Sequence, residues 1–181
     1  LDYQPYSYSK TLAEQKAWEM EKAQDRWDLV TINPPMVLGP ALNPHNTTSE
    51  SVNILKMIGG GQMAMGAPKM GTGLVDVRAV AEAHYLAGFT PEAKGRYITS
   101  GHNTDFLELG TTLLPKYGKQ FPLPTRAIPK WLIMLEGPMT NPLFTRDFLR
   151  KNVNVPWKAD NSKIKNELGM NFRPMKETLE D

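Results

Sequence analysis

The chain has 181 residues, 40% of them hydrophobic and 22% charged, with a formal net charge of +2. That length suits one domain or two small ones, and the composition is that of a folded globular protein rather than a disordered one. The small charge, with no dense Lys/Arg run, argues against nucleic acid as a partner; the absence of cysteine excludes disulfides, thiolate catalysis and cysteine metal sites; and no apolar run nears the ~20 residues of a membrane helix.

The chain opens at Leu1 without an initiator methionine, and a helix follows at once. The expectation is a piece of a longer polypeptide. No signal peptide opens it, so the expected location is cytoplasmic.

The first helix is predicted from about Ser7 to about Gln24, with Ser7 as its cap and Leu12, Ala13, Lys16, Ala17 and Met20 giving a mixed apolar face. Glu14 and Glu21 read as surface charge. Helical spacing puts Tyr6 and Lys10 on one face, one turn apart. A phenol beside an ammonium makes a proton-transfer pair, because the positive charge favours the phenolate. Tyr8, two positions from Lys10, does not face it. The plain alternative is a chance pair of surface residues.

Trp27 to Asn33 reads as a strand, short and rich in β-branched residues, stopped by Pro34-Pro35. Helix then buried strand points to a parallel α/β sheet. Pro34 to Pro40 follows as a rigid connection beyond the strand's carboxyl end, where open parallel sheets bind ligands. It reads either as a fixed pocket wall or as a plain loop. Residues 41–51 are loop-like. Ser51 to Ile58 is a helix candidate, with Val52, Leu55 and Ile58 at three-residue spacing. Gly59-Gly60-Gly61 closes it as cap and turn, lacking the spacing of a dinucleotide loop. Met63 and Met65 line a pocket or fill the core.

Leu74 to Val77 reads as a strand after Gly71-Thr72-Gly73, and Asp76 or Arg78 starts a helix to Phe89. Gly95 to Ser100 is another strand. Gly101 to Thr104 reads as a turn and cap before a helix from Thr104 to Leu114, with Asp105 near its positive end. Tyr117 to Pro129 is a proline-rich irregular arm, and Lys130 to Glu136 a helix. Residues 141–154 fit either a helix with Leu143, Phe144, Phe148 and Leu149 on one face or an extended flap. Asp160 to Gly169 is a capped short helix, and Met175 to Asp181 begins a last one. His45, in a loop, and His84 and His102 are scattered, so no metal site is expected.

Four segments resemble the extended short-chain dehydrogenase/reductase superfamily, which includes the NAD-dependent epimerases and dehydratases. Tyr6-Ser7-Tyr8-Ser9-Lys10-Thr11-Leu12-Ala13-Glu14 is similar to its YxxxK helix. Asn33 to Pro40 resembles its strand-end pocket wall, Leu74 to His84 its short strand and following helix, and Asp160 to Gly169 its C-terminal element. Within the superfamily the likeness is to reductases of the dihydroflavonol, cinnamoyl-CoA and microbial aldehyde or ketone type.

The resemblance implies an α/β protein: the C-terminal part of a Rossmann-type NAD(P)-binding fold (residues 1–35 and 71–100) plus a small mixed substrate-binding lobe (residues 36–70 and 101–181). It implies reduction of a small-molecule aldehyde or ketone by NADP(H) or NAD(H). Tyr6 would donate the proton and Lys10 would assist it and hold the nicotinamide ribose. Pro34, Pro35, Met36 and Val37 would lie against the nicotinamide; Met63, Met65 and Tyr97 to Thr104 would be looser edges. No glycine-rich pyrophosphate loop occurs in the sequence, nor the Ser/Thr that accompanies the Tyr–Lys pair upstream. The expectation is therefore a C-terminal half, inactive alone, whose partner is the missing N-terminal half, with a homodimer through the YxxxK helix as a further expectation. A sugar-nucleotide epimerase or dehydratase, or a non-catalytic NAD(P)-binding relative, are the competing readings.

Overall fold

The computed structural model describes residues 5–43, 49–140 and 144–181. His45 and Leu143, read above as loop and helix-face residues, lie outside the described residues. In chain order the elements are α1 (Pro5–Lys22), β1 (Val30–Asn33), β2 (Met36–Leu38), α2 (Glu50–Gly59), β3 (Gly71–Asp76), α3 (Val77–Phe89), β4 (Gly95–Ile98), β5 (His102–Asp105), α4 (Phe106–Tyr117), α5 (Lys130–Thr140), α6 (Arg146–Asn152), α7 (Ser162–Leu168) and α8 (Met175–Glu180).

The strands form two small sheets. In one, β1 lies parallel to β4, with Val30 opposite Gly95 and Asn33 opposite Ile98. In the other, β2 runs parallel to β3, pairing Met36 with Leu74, and β5 runs antiparallel on β3's other edge. β3 enters α3, which returns the chain to β4. This is alternating α/β topology with a parallel strand core of the Rossmann type used for NAD(P) binding, carrying additional helical and sheet elements.

β3 is the hinge of the packing. Alternate residues of a strand point to opposite faces. Leu74 joins a core with Met36, Leu38, Ile58, Leu109 and Leu113, whereas Val75 joins another with Ala79, Ala83, Tyr97, Ile164 and Leu168. Each such large apolar side chain, once fully buried, contributes roughly 1.5–3 kcal/mol. β2, from residues 36–70, and β3, from residues 71–100, share one sheet, and α7 packs on the same core as β4.

Several boundaries differ from the sequence reading. α1 starts at Pro5, not at a Ser7 cap; proline suits the first helical position, where its missing N–H leaves nothing unpaired. Ser7 sits inside the helix, its carbonyl accepting from Thr11 Oγ1 at 2.9 Å. Residues 27–29 are not strand. Gln24 folds over the preceding turn, its Oε1 accepting from the N–H groups of Arg26 and Trp27 and its Nε2 donating to the Trp27 carbonyl. Residues 36–38, within the stretch read as a rigid connection, form β2, because β3 offers them a parallel edge. Residues 102–104, read as turn and cap, form β5 together with Asp105, which was read as part of the helix; Asp105 is instead the cap of α4, its carboxylate accepting from Glu108 N. Of the two readings for residues 141–154, the helix is the one found for residues 146–152, with Thr145 as its cap. No helix among the described residues is long and apolar enough to cross a membrane.

Candidate active site

α1 carries the Tyr–Lys pair on a helix with no buried residue. Tyr6 is 73% exposed, and Lys10 Nζ lies 5.8 Å from the centroid of its ring, within cation–π range. Among the described residues neither Tyr6 Oη nor Lys10 Nζ has a hydrogen-bond partner. The ammonium thus lies over the phenol ring, and no described residue hydrogen-bonds either group.

One turn beyond Lys10, Glu14 fastens this helix to the sheet. Its carboxylate accepts from Arg96 Nε and Nη2 (2.5 and 3.1 Å), Asn33 Nδ2 (3.2 Å), Thr31 Oγ1 (3.3 Å) and Trp18 Nε1 (3.2 Å). These partners come from β1, β4 and α1 itself. The Arg96 bonds hold the Glu14 carboxyl below its ordinary range against the opposing cost of burial, and Glu14 in turn raises Arg96. Read from sequence as surface charge, Glu14 is instead the tie between the YxxxK helix and the end of β1. The available signal was the four-residue repeat Tyr6, Lys10, Glu14, which marks one side of a helix.

The proline segment begins where Glu14 grips the strand. Pro34, directly after Asn33, is exposed, Pro35 and Val37 are half-buried, and Met36 is buried at 8% exposure. Met36 therefore spends its side chain in the core, and its backbone lies in the ladder opposite Leu74 of β3. Pro35 stands beside β3: a Cβ added to Gly73 would be 2.7 Å from Pro35 Cβ.

The looser candidates divide. Met63 is core, while Met65 is 81% exposed. Tyr97 is fully buried, donating to Glu167 at 2.7 Å and accepting from Lys94 N, which is a packing role. Thr99, just beyond β4, is buried, and its Oγ1 has no partner among the described residues. His84 lies against the Val80 carbonyl of its own helix, and His102 against the Arg173 carbonyl. A cleft of about 880 Å³ opens among the start of β3, β5 and the segment after α6, with Lys69, Asn103, Glu108, Trp157 and Lys158 in its walls. Asn103 and Thr104, among the looser edges named from sequence, line it; the rest of its walls sequence reasoning missed, because they come from segments far apart in the chain.

No family model matches the chain. It is 36% identical over 180 residues to cinnamoyl-CoA reductase 2 of Medicago truncatula, covering 97% of this chain and 45% of that protein. Its fold superposes on yeast methylglyoxal/isovaleraldehyde reductase complexed with NADPH, with a TM-score of 0.73 at 24% identity, over 97% of this chain and 48% of that one. It also superposes on a UDP-glucose-4-epimerase from Stenotrophomonas maltophila with bound NAD, with a TM-score of 0.67 at 18% identity, over 98% and 53% of the two chains. The chain spans about half the length of the curated relatives it matches along its whole extent. Along nearly all of its residues, this chain is homologous to members of the extended short-chain dehydrogenase/reductase superfamily.

Proposed function

We propose that this chain supplies the proton-donor half of an NAD(P)H-dependent reductase of small aldehydes or ketones, of the dihydroflavonol reductase type, and that the pyrophosphate loop is supplied by polypeptide outside it. The observation that carries the reading is the Tyr6–Lys10 pair, on a helix that Glu14 ties to the strand end leading into Pro34-Pro35. The donor set fits the cofactor: an ammonium suits ribose hydroxyls, and a phenol suits a carbonyl oxygen that needs a proton. When bound, the dinucleotide supplies the hydride. Tyr6 Oη gives its proton to the carbonyl oxygen, and Lys10 stabilises the phenolate left behind. Pro34 and Pro35, with no N–H to donate, form an inert wall for a flat ring, and the backbone from Met36 to Val37 is the polar part of that wall. The N-terminal half and a second copy of the protein are the partners this reading names.

The test is turnover by the longer protein carrying this chain. Consumption of NADPH or NADH with aldehydes, and no conversion of UDP- or dTDP-sugars, is expected. The reverse outcome would favour the epimerase reading, which shares the fold. The chain by itself is expected to bind NADPH negligibly; micromolar affinity would overturn the assignment of the pyrophosphate site to other polypeptide.

A further inference from the structure

The outward face of α5 is apolar where a surface helix is ordinarily polar. Trp131, Leu135 and Met139 recur every four residues, so they lie on one side of the helix. They are 68%, 61% and 88% exposed. The opposite side is closed. Ile133 and Met134 pack on the core of Met70, Leu149 and Val153, and a Cβ on Gly137 would lie 2.8 Å from Leu149 Cδ1. That close approach lays α5 against α6 and turns the stripe outward. Scattered apolar residues on a surface need no explanation, but three aligned on one helix and headed by a tryptophan mark a contact surface.

Charge says what kind of contact. From Lys119 to Lys158 the chain has seven Lys/Arg against two acids, Glu136 and Asp147, while the rest of the chain has fourteen against seventeen. The positive excess therefore sits in the segment that carries the stripe. The fold draws that excess together. Lys130 Nζ donates to the carbonyls of Arg150 and Val153, both at 2.8 Å, which brings the start of α5 against the end of α6. There a single carboxylate, Asp147, pairs with both Arg150 (2.7 Å) and Lys151 (2.6 Å).

An apolar stripe beside surplus cations suits the boundary between water and anionic lipid. The apolar face enters the acyl region and the cations meet the headgroups. The 11 residues of α5 are far too few to cross a bilayer, so the helix would lie on it. Other occupants use half of the pattern. A nucleic acid would engage the cations and leave the stripe in water. A second copy of this chain would cover the stripe but set like charges against each other.

We propose that the outer face of α5, with the basic end of α6, is a docking surface for an anionic lipid bilayer. The proposal does not depend on the reaction assigned above.

The test uses the longer protein and vesicles of phosphatidylcholine, alone or with about a third phosphatidylserine, at low salt and at about 1 M salt. At low salt, association with the anionic vesicles should exceed that with the neutral ones about tenfold, and the excess should vanish at high salt. Leu135→Glu should lower it about tenfold, and so should Arg146→Gln combined with Arg150→Gln. These side chains are exposed, so the variants should melt with the parent. Phe89→Glu, which alters an exposed aromatic on α3, should leave association unchanged. Tryptophan emission should move to the blue with anionic vesicles, and the movement should be lost in Trp131→Phe. Equal association with both vesicles, or association indifferent to Leu135→Glu, overturns the proposal. No association overturns it too, and would mean that other polypeptide of the longer protein covers the stripe. Retention on duplex DNA without binding to vesicles would reassign the cations to a polyanion and also overturn it.

Discussion

Two charged regions of this molecule are built on opposite plans. Around Asp76, 3% exposed, the carboxylate is engaged by donors from the chain itself. Its carboxylate accepts from Arg78 N, Nε and Nη2 at 2.7–2.8 Å and from Thr178 Oγ1 at 3.0 Å. Arg78 also pairs with Asp181 at 2.7 Å. This network caps α3 and clamps α8 onto the end of β3. On α1, by contrast, Tyr6 and Lys10 are exposed and no described residue completes their hydrogen bonding. The contrast bears on where chemistry is sought. Strongly shifted titrations gather at functional sites, but ion-pair scaffolds produce them too. Here the Arg78 bonds hold the Asp76 carboxyl down to about 2 despite burial, and that marks scaffold. On α1, Tyr6 and Lys10 are not consumed by any such scaffold among the described residues.

The comparison can be broken at each end. The largest effect is expected from Tyr6→Phe in the longer protein: loss of at least about a hundredfold in carbonyl turnover. Its melting temperature should be unchanged, because the side chain is 73% exposed. Turnover within a few-fold of the parent would remove Tyr6 from the chemistry.

Asp76→Asn should do the opposite, costing about 2 kcal/mol of stability in chemical denaturation, as the linkage of a carboxyl held near 2 in the folded state implies. Because the folded-state pKa is depressed, that stabilisation is fully present above the unfolded value near ~4 and is lost as pH falls through about 2. Denaturation curves of parent and variant should therefore converge in acid; a gap that persists there would contradict the assignment.

A smaller effect, about 1 kcal/mol, is expected from Gly169→Ala at the end of α7, where φ is +66° and a Cβ would meet open space, so that only backbone strain is added. The smallest is Glu14→Gln, below about 1 kcal/mol in global stability, because Arg96 is 58% exposed. Its signature is local: amide exchange along α1 should quicken while α3 stays protected. Equal rates in both helices would mean that Glu14 does not hold α1 to the sheet.

How much of this was legible follows from how local each signal is. The helix α2, the apolar run of β3 and the cap at Gly169 are written in adjacent residues, and so is the Tyr6–Lys10 spacing. β2 was hidden because Met36-Val37-Leu38 is only three residues long and follows two prolines; β3 makes it a strand. β5 is His-Asn-Thr-Asp, polar enough to read as a turn until β3's free edge pairs it. Glu14 looked like any surface carboxylate because most of its partners lie on β1 and β4, away from its own helix. Trp157 gave no sign, since it fills the space beside Gly71 and Gly73 of β3, far away in the chain. Pocket residues assembled by tertiary contact are the part that spacing cannot show.

The central claim is that Tyr6 and Lys10 face a cofactor held against the Pro34-Pro35 wall. A crystal structure of the longer protein with NADP(H) and an unreactive carbonyl analogue tests it most directly. The account predicts the nicotinamide against Pro35, Lys10 Nζ on the ribose and the analogue's oxygen within about 3 Å of Tyr6 Oη. A nicotinamide bound elsewhere, with Tyr6 still open to solvent, would contradict it.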